Sequence, residues 1–316
     1  MKNIKSKGIP LTSQELKVFW NSYAEHYHKN VERNFISVYV NLCNLTKIYR
    51  KKNILELSCG SGEGLKYLTT NLENKINLFA SDISDNVLEQ THKNFKTTNN
   101  NISPLLKTNI YKSDSDKQKL KQKLNKLHEE NNRDLLKEIN LNLIQIDNED
   151  LNLFNSNSFD TVISNFSLNL VNKTEKMLSE SARVLNKEGV AAFSIWGRPE
   201  NSLPFTIIPN ALKKMEVDLP KIRSFFHISK VELLRDMVLS NGFSKFSYCY
   251  QFVPFNIFNF KDFLFMLKSP AYLPIIEKLS ESDKNKLISI IEEEFEKVLK
   301  RNELFGTEAI ILLCQK

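Results

Sequence analysis

The segment Ile54–Gly64 constrains the fold more than any other part of the chain, because a strand-like run leads through closely spaced glycines into a helix-like run. Gly60, Gly62 and Gly64 stand at alternate positions. Glycine lets the backbone turn sharply and approach a ligand without a Cβ in the way. The helix N-terminus adds oriented N–H groups. The segment therefore predicts a strand–loop–helix unit that binds a ligand at its turn.

Short apolar runs alternate with helical patterns along the rest of the chain, which predicts an α/β fold. The predicted strands are 53–58, 76–81, 141–146, 159–164, 190–196, 247–255 and 307–315. Predicted helices cover 84–95, 173–185 and 231–242, and a turn at 186–189 precedes the fifth strand. This alternation is typical of a mostly parallel sheet, here of seven strands, with helices on both faces.

Two common phosphate-binding loops do not match the glycine segment. A dinucleotide loop requires Gly or Ala where Leu65 stands, and no Gly-Lys-Ser/Thr follows as in a nucleoside triphosphate loop. With the acidic Glu56 four residues before Gly60, the segment instead resembles the first motif of class I S-adenosylmethionine-dependent methyltransferases. The resemblance implies a Rossmann-like fold and S-adenosyl-L-methionine as the cofactor bound at this loop.

Two later segments continue the resemblance. Asp82 ends the second predicted strand, where a carboxylate can accept both ribose hydroxyls of an adenosyl group, with Ile83 packed on the adenine. The alternative is that Asp82 only caps the following helix. The resemblance also implies that Asp147 and Asn148 meet the amino edge of the adenine, and that Asn165 lies near the methionine end.

An aromatic helix is predicted near the N-terminus, within residues 11–48. Its Trp20, Tyr23 and Tyr27 are similar to the helix that closes over the cofactor in many small-molecule methyltransferases. The resemblance implies that Tyr23 and Tyr27 cap the methionyl end, whereas an ordinary aromatic helix face is the alternative. Asp160 is predicted to hold the sheet together.

We divide the chain into an N-terminal helical cap, residues 1–48, and a methyltransferase domain, residues 49–316. Residues 97–140, rich in Lys and Asn, are a solvated insertion or a basic arm for a partner. Residues 255–305, which precede the last strand, contain an aromatic-rich segment and then a charged helix. They form a helical lid over the substrate or plain helical packing.

The net charge and the cysteine content limit the kinds of partner and metal site that the chain can have. The net charge of +7 permits a nucleic-acid partner, but a surplus of surface lysine explains it equally well. The four cysteines lie far apart without histidine at ligand spacing, which predicts buried free thiols and no metal site: Cys43, Cys59, Cys249 and Cys314. The sequence shows neither a bilayer-length apolar run nor a secretory signal, so a cytoplasmic location is expected.

The resemblance implies transfer of a methyl group by in-line displacement to a small-molecule acceptor, as in the methyltransferases of ubiquinone and menaquinone biosynthesis. An RNA or protein methyltransferase is the alternative, supported by the charge and the basic insertion; wobble-uridine tRNA methyltransferases share the aromatic helix. A non-catalytic partner subunit is the third hypothesis. The intact Glu56, Gly60, Gly62 and Asp82 argue against it.

The sequence assigns no catalytic base. His26, His28 and His227 are expected to be surface or structural residues. The run from Ser164 to Ser167 lacks the Asn/Asp-Pro-Pro-Tyr/Phe signature, which argues against adenine or glutamine N-methylation.

Overall fold

The computed structural model describes residues 11–72, 76–97, 106–129, 139–219, 223–268, 272–301 and 304–316. Residues 1–10 of the predicted cap lie outside the described residues. The same holds for 98–105 and 130–138 of the first insertion.

The described strands are β1 (Asn53–Leu57), β2 (Asn77–Asp82), β3 (Leu106–Tyr111), β4 (Ile139–Gln145), β5 (Phe159–Ser164), β6 (Leu185–Trp196), β7 (Lys245–Pro254) and β8 (Gly306–Gln315). The described α-helices are α1 (Ser13–Asn30), α2 (Ile36–Thr46), α3 (Glu63–Thr70), α4 (Asp85–Thr97), α5 (Asp114–Glu129), α6 (Thr174–Val184), α7 (Leu203–Lys214), α8 (Val231–Ser240), α9 (Phe260–Phe263), α10 (Leu273–Ile276) and α11 (Glu281–Lys300).

The strands form one sheet in the order β3-β4-β2-β1-β5-β6-β8-β7. All neighbours pair in parallel except β8, which is antiparallel to both β6 and β7. The order of the chain reverses between β1 and β5, and ligands of open α/β sheets bind beyond the carboxyl ends of the strands at such a point. The mostly parallel Rossmann-like α/β sheet is thereby confirmed.

The sheet has eight strands among the described residues, one more than the sequence predicts. The additional strand, β3, pairs with β4 at the edge of the sheet and comes from the first insertion. Its residues are half-buried or exposed, so the sequence there carries no apolar run. The helix that follows, α5, buries Leu120 against the sheet, so this part of the insertion extends the domain core.

The turn predicted at 186–189 is wrong, because β6 runs unbroken from Leu185. Pairing with β5 passes from Phe159–Leu185 to Thr161–Val190, so a β-bulge accommodates the intervening residues. Residues such as Asn and Gly that are typical of turns also occur at bulges, and the sequence does not distinguish the two.

Helices cover both faces of the sheet, as expected. One core packs α2, α3, α4, α7 and α11 on the sheet, and the other packs α5, α6 and α8. Successive strand residues alternate between the two cores, as Ile54 and Leu55 do. The α9–α11 segment lies mainly against α7, and its Phe265 also reaches α1.

The cysteines are free thiols, and Cys43, Cys59 and Cys314 are buried. Cys249 is exposed, so its predicted burial is wrong: it lies on β7, an edge strand with few helices over it. Within the described ranges, no helix has the length and apolar character needed to cross a membrane.

Candidate cofactor site

The glycine loop turns sharply between β1 and α3. Ser58 and the glycines at 60 and 62 have positive φ angles of 57°, 58° and 87°. A non-glycine residue in this region is strained, and such strain collects at functional sites. Gly64 serves packing instead, since a Cβ there would lie 2.5 Å from the Tyr39 ring. The loop brings backbone N–H groups to the carboxyl end of the sheet.

Asp82 lies at the end of β2, directly beside the loop. One carboxylate oxygen accepts a hydrogen bond from the Gly60 N–H at 3.2 Å, and the other accepts one from the Ser84 N–H at 2.9 Å. Burial raises the pKa of Asp82 to about 7, although both N–H groups lower it. The side chain therefore ties the loop to the start of α4, where the Ser84 hydroxyl caps the helix by accepting from the Val87 N–H.

Glu56 is the second buried carboxylate of the site. It is 3% exposed and accepts a hydrogen bond from the Tyr39 hydroxyl at 2.6 Å. Burial raises its pKa to about 8, and the carboxylates of Glu32 and Asp82 add to that rise against the lowering effect of Tyr39. A cation placed beside a buried carboxylate of this kind stabilises its ionised form.

Asp147 and Asn148 follow β4, and Asn165 follows β5. Asn148 is buried; its amide donates to the Ser58 hydroxyl at 2.7 Å and accepts from Ser81 at 2.9 Å. Asn165 accepts from the Ser194 hydroxyl at 2.7 Å. These bonds fix the two amides at the carboxyl ends of β4 and β5, which lie on opposite sides of β1 in the sheet.

Helix α1 covers the cleft. The side-chain oxygen of Asn21 accepts a hydrogen bond from the Ser84 hydroxyl at 2.5 Å, and Lys17 forms an ion pair with Asp85 at 2.7 Å. The Tyr27 ring lies 5.5 Å from the Trp20 ring and 6.1 Å from the Tyr23 ring. The helix therefore places an aromatic surface over the carboxyl ends of β1 and β2.

Two adjoining cavities make up the cleft and share Tyr27, Ser58, Gly60 and Asn165. Nine of the eleven cofactor-binding residues predicted from the sequence line one or both of them: Tyr27, Glu56, Gly60, Gly64, Asp82, Ile83, Asp147, Asn148 and Asn165.

Two predicted residues lie outside the lining. A Cβ at Gly62 would lie 2.7 Å from Thr91, so this glycine allows α4 to pack closely. The Tyr23 ring stacks on His26, 5.4 Å away. Asp160 holds the sheet as predicted, since one of its oxygens accepts from the N–H groups of Lys52 and Asn53, both at 3.0 Å.

The sequence did not single out Glu32, which follows α1 and lines the cleft. Its carboxylate accepts from the Ser61 N–H at 3.1 Å and also bonds the Ser61 hydroxyl. The same hydroxyl contacts His28. A sequence pattern offers no signal for such a contact, because the partners lie on different elements and the acidic residue stands in no motif.

The described lining of the cleft is strongly acidic. It includes six carboxylates and neither Lys, Arg nor His, although the whole chain carries a net charge of +7: the acids are Glu32, Glu56, Glu63, Asp82, Asp147 and Glu149. A pyrophosphate of a dinucleotide would meet carboxyl groups and no basic side chain in this lining. A ligand with a sulfonium and an ammonium group is complementary to it, and Asp82 supplies two acceptors for a ribose diol. The donor set thus fits S-adenosylmethionine.

Comparison with known proteins agrees with this chemistry. Residues 100–193 match a family model described as a methyltransferase domain. The match begins after the glycine loop and extends into β6, so the loop and Asp82 support the assignment independently. No curated protein matches the sequence.

One solved structure shares the fold at low sequence identity, and others have a weaker overall similarity. The [4+2]-cyclase SpnF has a TM-score of 0.53 and 13% identity, with 97% of each chain covered. A methyltransferase-like protein from Bacillus halodurans C-125 has a TM-score of 0.48 and 15% identity, over 88% of this chain and 99% of that one. In its fold, its glycine loop and the family match over residues 100–193, the chain is similar to class I, S-adenosylmethionine-dependent methyltransferases.

Proposed function

We propose that the protein transfers the methyl group of S-adenosylmethionine to a small-molecule acceptor, in the manner of the ubiquinone and menaquinone methyltransferases that its motifs resemble. The acidic cleft beneath α1 carries the proposal. Its carboxylates suit a cationic cofactor, and its roof leaves room for a small acceptor rather than an extended strand.

In this proposal, different lining residues bind different parts of the cofactor. Asp82 accepts the ribose hydroxyls, in exchange for its present bonds to backbone N–H groups. Ile83 packs on the adenine, and Asp147 and Asn148 face its amino edge. Glu56 faces the ammonium group, whose positive charge offsets the free-energy penalty of the buried carboxylate. These roles are supported by the presence of all five side chains in the lining of the two cavities.

The chemistry needs little from the protein besides alignment. Bound S-adenosylmethionine would supply an activated methyl carbon: as a lone pair of the acceptor formed the new bond, the carbon–sulfur bond would break and its electron pair would neutralise the sulfur. Tyr27 and Asn165, at the junction of the cavities, orient the acceptor for in-line attack. Phe166, stacked on Trp196 with ring centroids 4.0 Å apart, lines one of the two cavities next to Asn165 and excludes water there.

The roof favours a small acceptor. Leu16 and Trp20 of α1 line the adenosine end of the cleft. His26 on the same helix lies against Phe265 of the second insertion, with 6.4 Å between ring centroids. The acceptor therefore enters beneath an aromatic surface, an arrangement typical of sites for small apolar or amine compounds.

Titration calorimetry of S-adenosylmethionine into the purified protein tests the cofactor role of Asp82. We expect the Asp82→Asn variant to bind about 100-fold more weakly, because one acceptor becomes an N–H donor and the other loses its charge, and a hydrogen bond to a charged group contributes about 1.5–3 kcal/mol. The control is Asp116→Asn, which removes an exposed carboxylate bonded to Ser113 on α5. Folded wild-type protein that binds no cofactor would refute the proposal.

The acceptor class needs a second experiment. The protein is incubated with methyl-labelled cofactor and a cell extract divided into low- and high-molecular-mass fractions. We expect labelled product from the low-mass fraction. Label only in RNA or protein would contradict a small acceptor while leaving the cofactor assignment intact.

A further inference from the structure

The carboxylate of Glu32 packs directly against the glycine loop, at Gly60 and Ser61. Its Oε1 accepts from the Ser61 N–H at 3.1 Å, and it would lie 2.8 Å from a Cβ at Gly60. The side chain is 11% exposed. Glu32 therefore fills the space that the absence of a side chain at Gly60 leaves open.

No side chain of the described residues caps the start of α3, the helix that follows the glycine loop. Gly62 is the N-cap of α3 and offers no side chain, and no side-chain cap bond is formed at that end. Glu32, 29 residues earlier in the chain, accepts from the N–H of Ser61, the residue directly before this N-cap. An anion on N–H groups at a helix start is favourable, so a ligand carboxylate would be stabilised by the same donors.

Glu32 has poor electrostatic compensation in this position. The titratable groups facing it are His28, with 3.4 Å between Nδ1 and Oε2, and the carboxylate of Glu63 on α3. Burial raises the pKa of Glu32 despite its bonds to Ser61 and His28. The contact thus stabilises the loop at a cost, and a competing anion can displace it.

We propose that Glu32 occupies, in the ligand-free protein, the place of the methionyl carboxylate, and that cofactor binding exchanges one carboxylate for the other on the Ser61 N–H. The inference rests on the proposed cofactor function. The methionyl group carries an ammonium, for which the cleft holds several acids, and a carboxylate, for which its described lining holds no basic side chain. The backbone N–H groups of the loop remain as donors, and we assign the Ser61 N–H because it already binds a carboxylate.

The exchange makes Glu32 a specificity-determining residue. A ligand with a methionyl carboxylate must displace Glu32, whereas 5′-methylthioadenosine has no carboxylate and leaves it in place. Glu32 therefore lowers the affinity for the whole cofactor relative to its adenosyl portion, and holds the loop in shape between binding events.

Calorimetry with two ligands tests the exchange. S-adenosylhomocysteine and 5′-methylthioadenosine are titrated into wild type, Glu32→Gln and the control Glu25→Gln. The control removes a carboxylate of α1 that is 79% exposed and paired with Lys29. We expect Glu32→Gln to bind S-adenosylhomocysteine about tenfold more tightly. Its affinity for 5′-methylthioadenosine, and both affinities of the control, should stay at the wild-type values.

Two results would overturn the inference. Weaker or unchanged binding of S-adenosylhomocysteine by Glu32→Gln would mean that the carboxylate is a ligand for the ammonium or has no role. An equal gain for both ligands would mean that the substitution merely loosens the cleft.

Hydrogen exchange in the free protein supplies a measurement that needs no ligand. We expect the Ser61 amide to exchange faster in Glu32→Ala than in wild type or Glu25→Ala, because its acceptor has been removed. Unchanged exchange would refute the contact itself. If wild type binds neither adenosyl ligand, the proposed function fails, while the exchange rates still decide whether Glu32 covers Ser61.

Discussion

Two buried glutamates on the same sheet have opposite electrostatic surroundings. Glu56 on β1 is 3% exposed and Glu308 on β8 is 6% exposed. Glu308 accepts from the Arg198 guanidinium at 2.6 and 2.9 Å, from the Arg198 N–H and from Asn201. Burial pushes its pKa up, but these partners outweigh that effect and the pKa is lowered.

Glu56 has one side-chain donor among the described residues, Tyr39, and its pKa is raised to about 8. Burial alone therefore does not separate a structural carboxylate from a binding one. A carboxylate compensated within the chain stabilises the fold, whereas an uncompensated one is available to a cationic ligand.

The largest expected effect is the pH dependence of unfolding. Between pH 4.5 and about 8 the unfolded chain ionises Glu56 while the folded protein keeps it protonated, so stability falls as pH rises. At about 1.4 kcal/mol per pKa unit, the loss is on the order of 3–5 kcal/mol. Denaturant unfolding should show Glu56→Gln more stable than wild type at pH 8, with a smaller difference at pH 5. Parallel pH profiles for the two proteins would contradict the comparison.

The substitution at the other glutamate should act in the opposite direction. Glu308→Gln breaks the paired hydrogen bonds to Arg198, whose side chain is 48% exposed, so we expect a destabilisation of about 2 kcal/mol at pH 7. The matched control is Glu293→Gln, an exposed partner of Lys297, which should change stability by less than about 0.5 kcal/mol. Equal effects at the two positions would show that the Arg198 pair is merely a surface ion pair.

A smaller effect is expected from the single donor to Glu56. Tyr39→Phe removes the hydroxyl that lowers the pKa of Glu56, and should destabilise the protein by about 1–2 kcal/mol at pH 8. The loss should shrink at pH 5, where Glu56 is protonated. A loss that is the same at both pH values would point to ring packing rather than to the hydrogen bond.

Much of the fold and of the cleft could be predicted from the sequence, because both rest on local signals. The glycine loop, with Asp82 at the end of the following strand, sets a turn and a carboxylate at one edge of the sheet. The alternation of apolar and helical segments predicted parallel pairing. Asp160 could be assigned to the sheet because it stands near the amino end of its strand, away from the carboxyl ends where the cleft lies.

The remaining features depend on contacts between distant residues. Strand β3 is half-exposed and lies in a polar segment, so no apolar pattern reveals it. Glu32 contacts Ser61 across the cleft, and only the packing of the turn after α1 brings them together. The burial of Gly62 against Thr91 likewise follows from how α4 meets the loop.

Helix α1 closes the cleft without a single fully buried residue of its own. Its polar attachments include the bond of Asn21 to Ser84 and the partly exposed ion pair of Lys17 with Asp85. A segment held in this way opens at a small fraction of the free energy of global unfolding. We therefore expect the residence time of a bound nucleoside to follow the opening rate of this helix, so that product departure, rather than bond making, sets the pace of turnover.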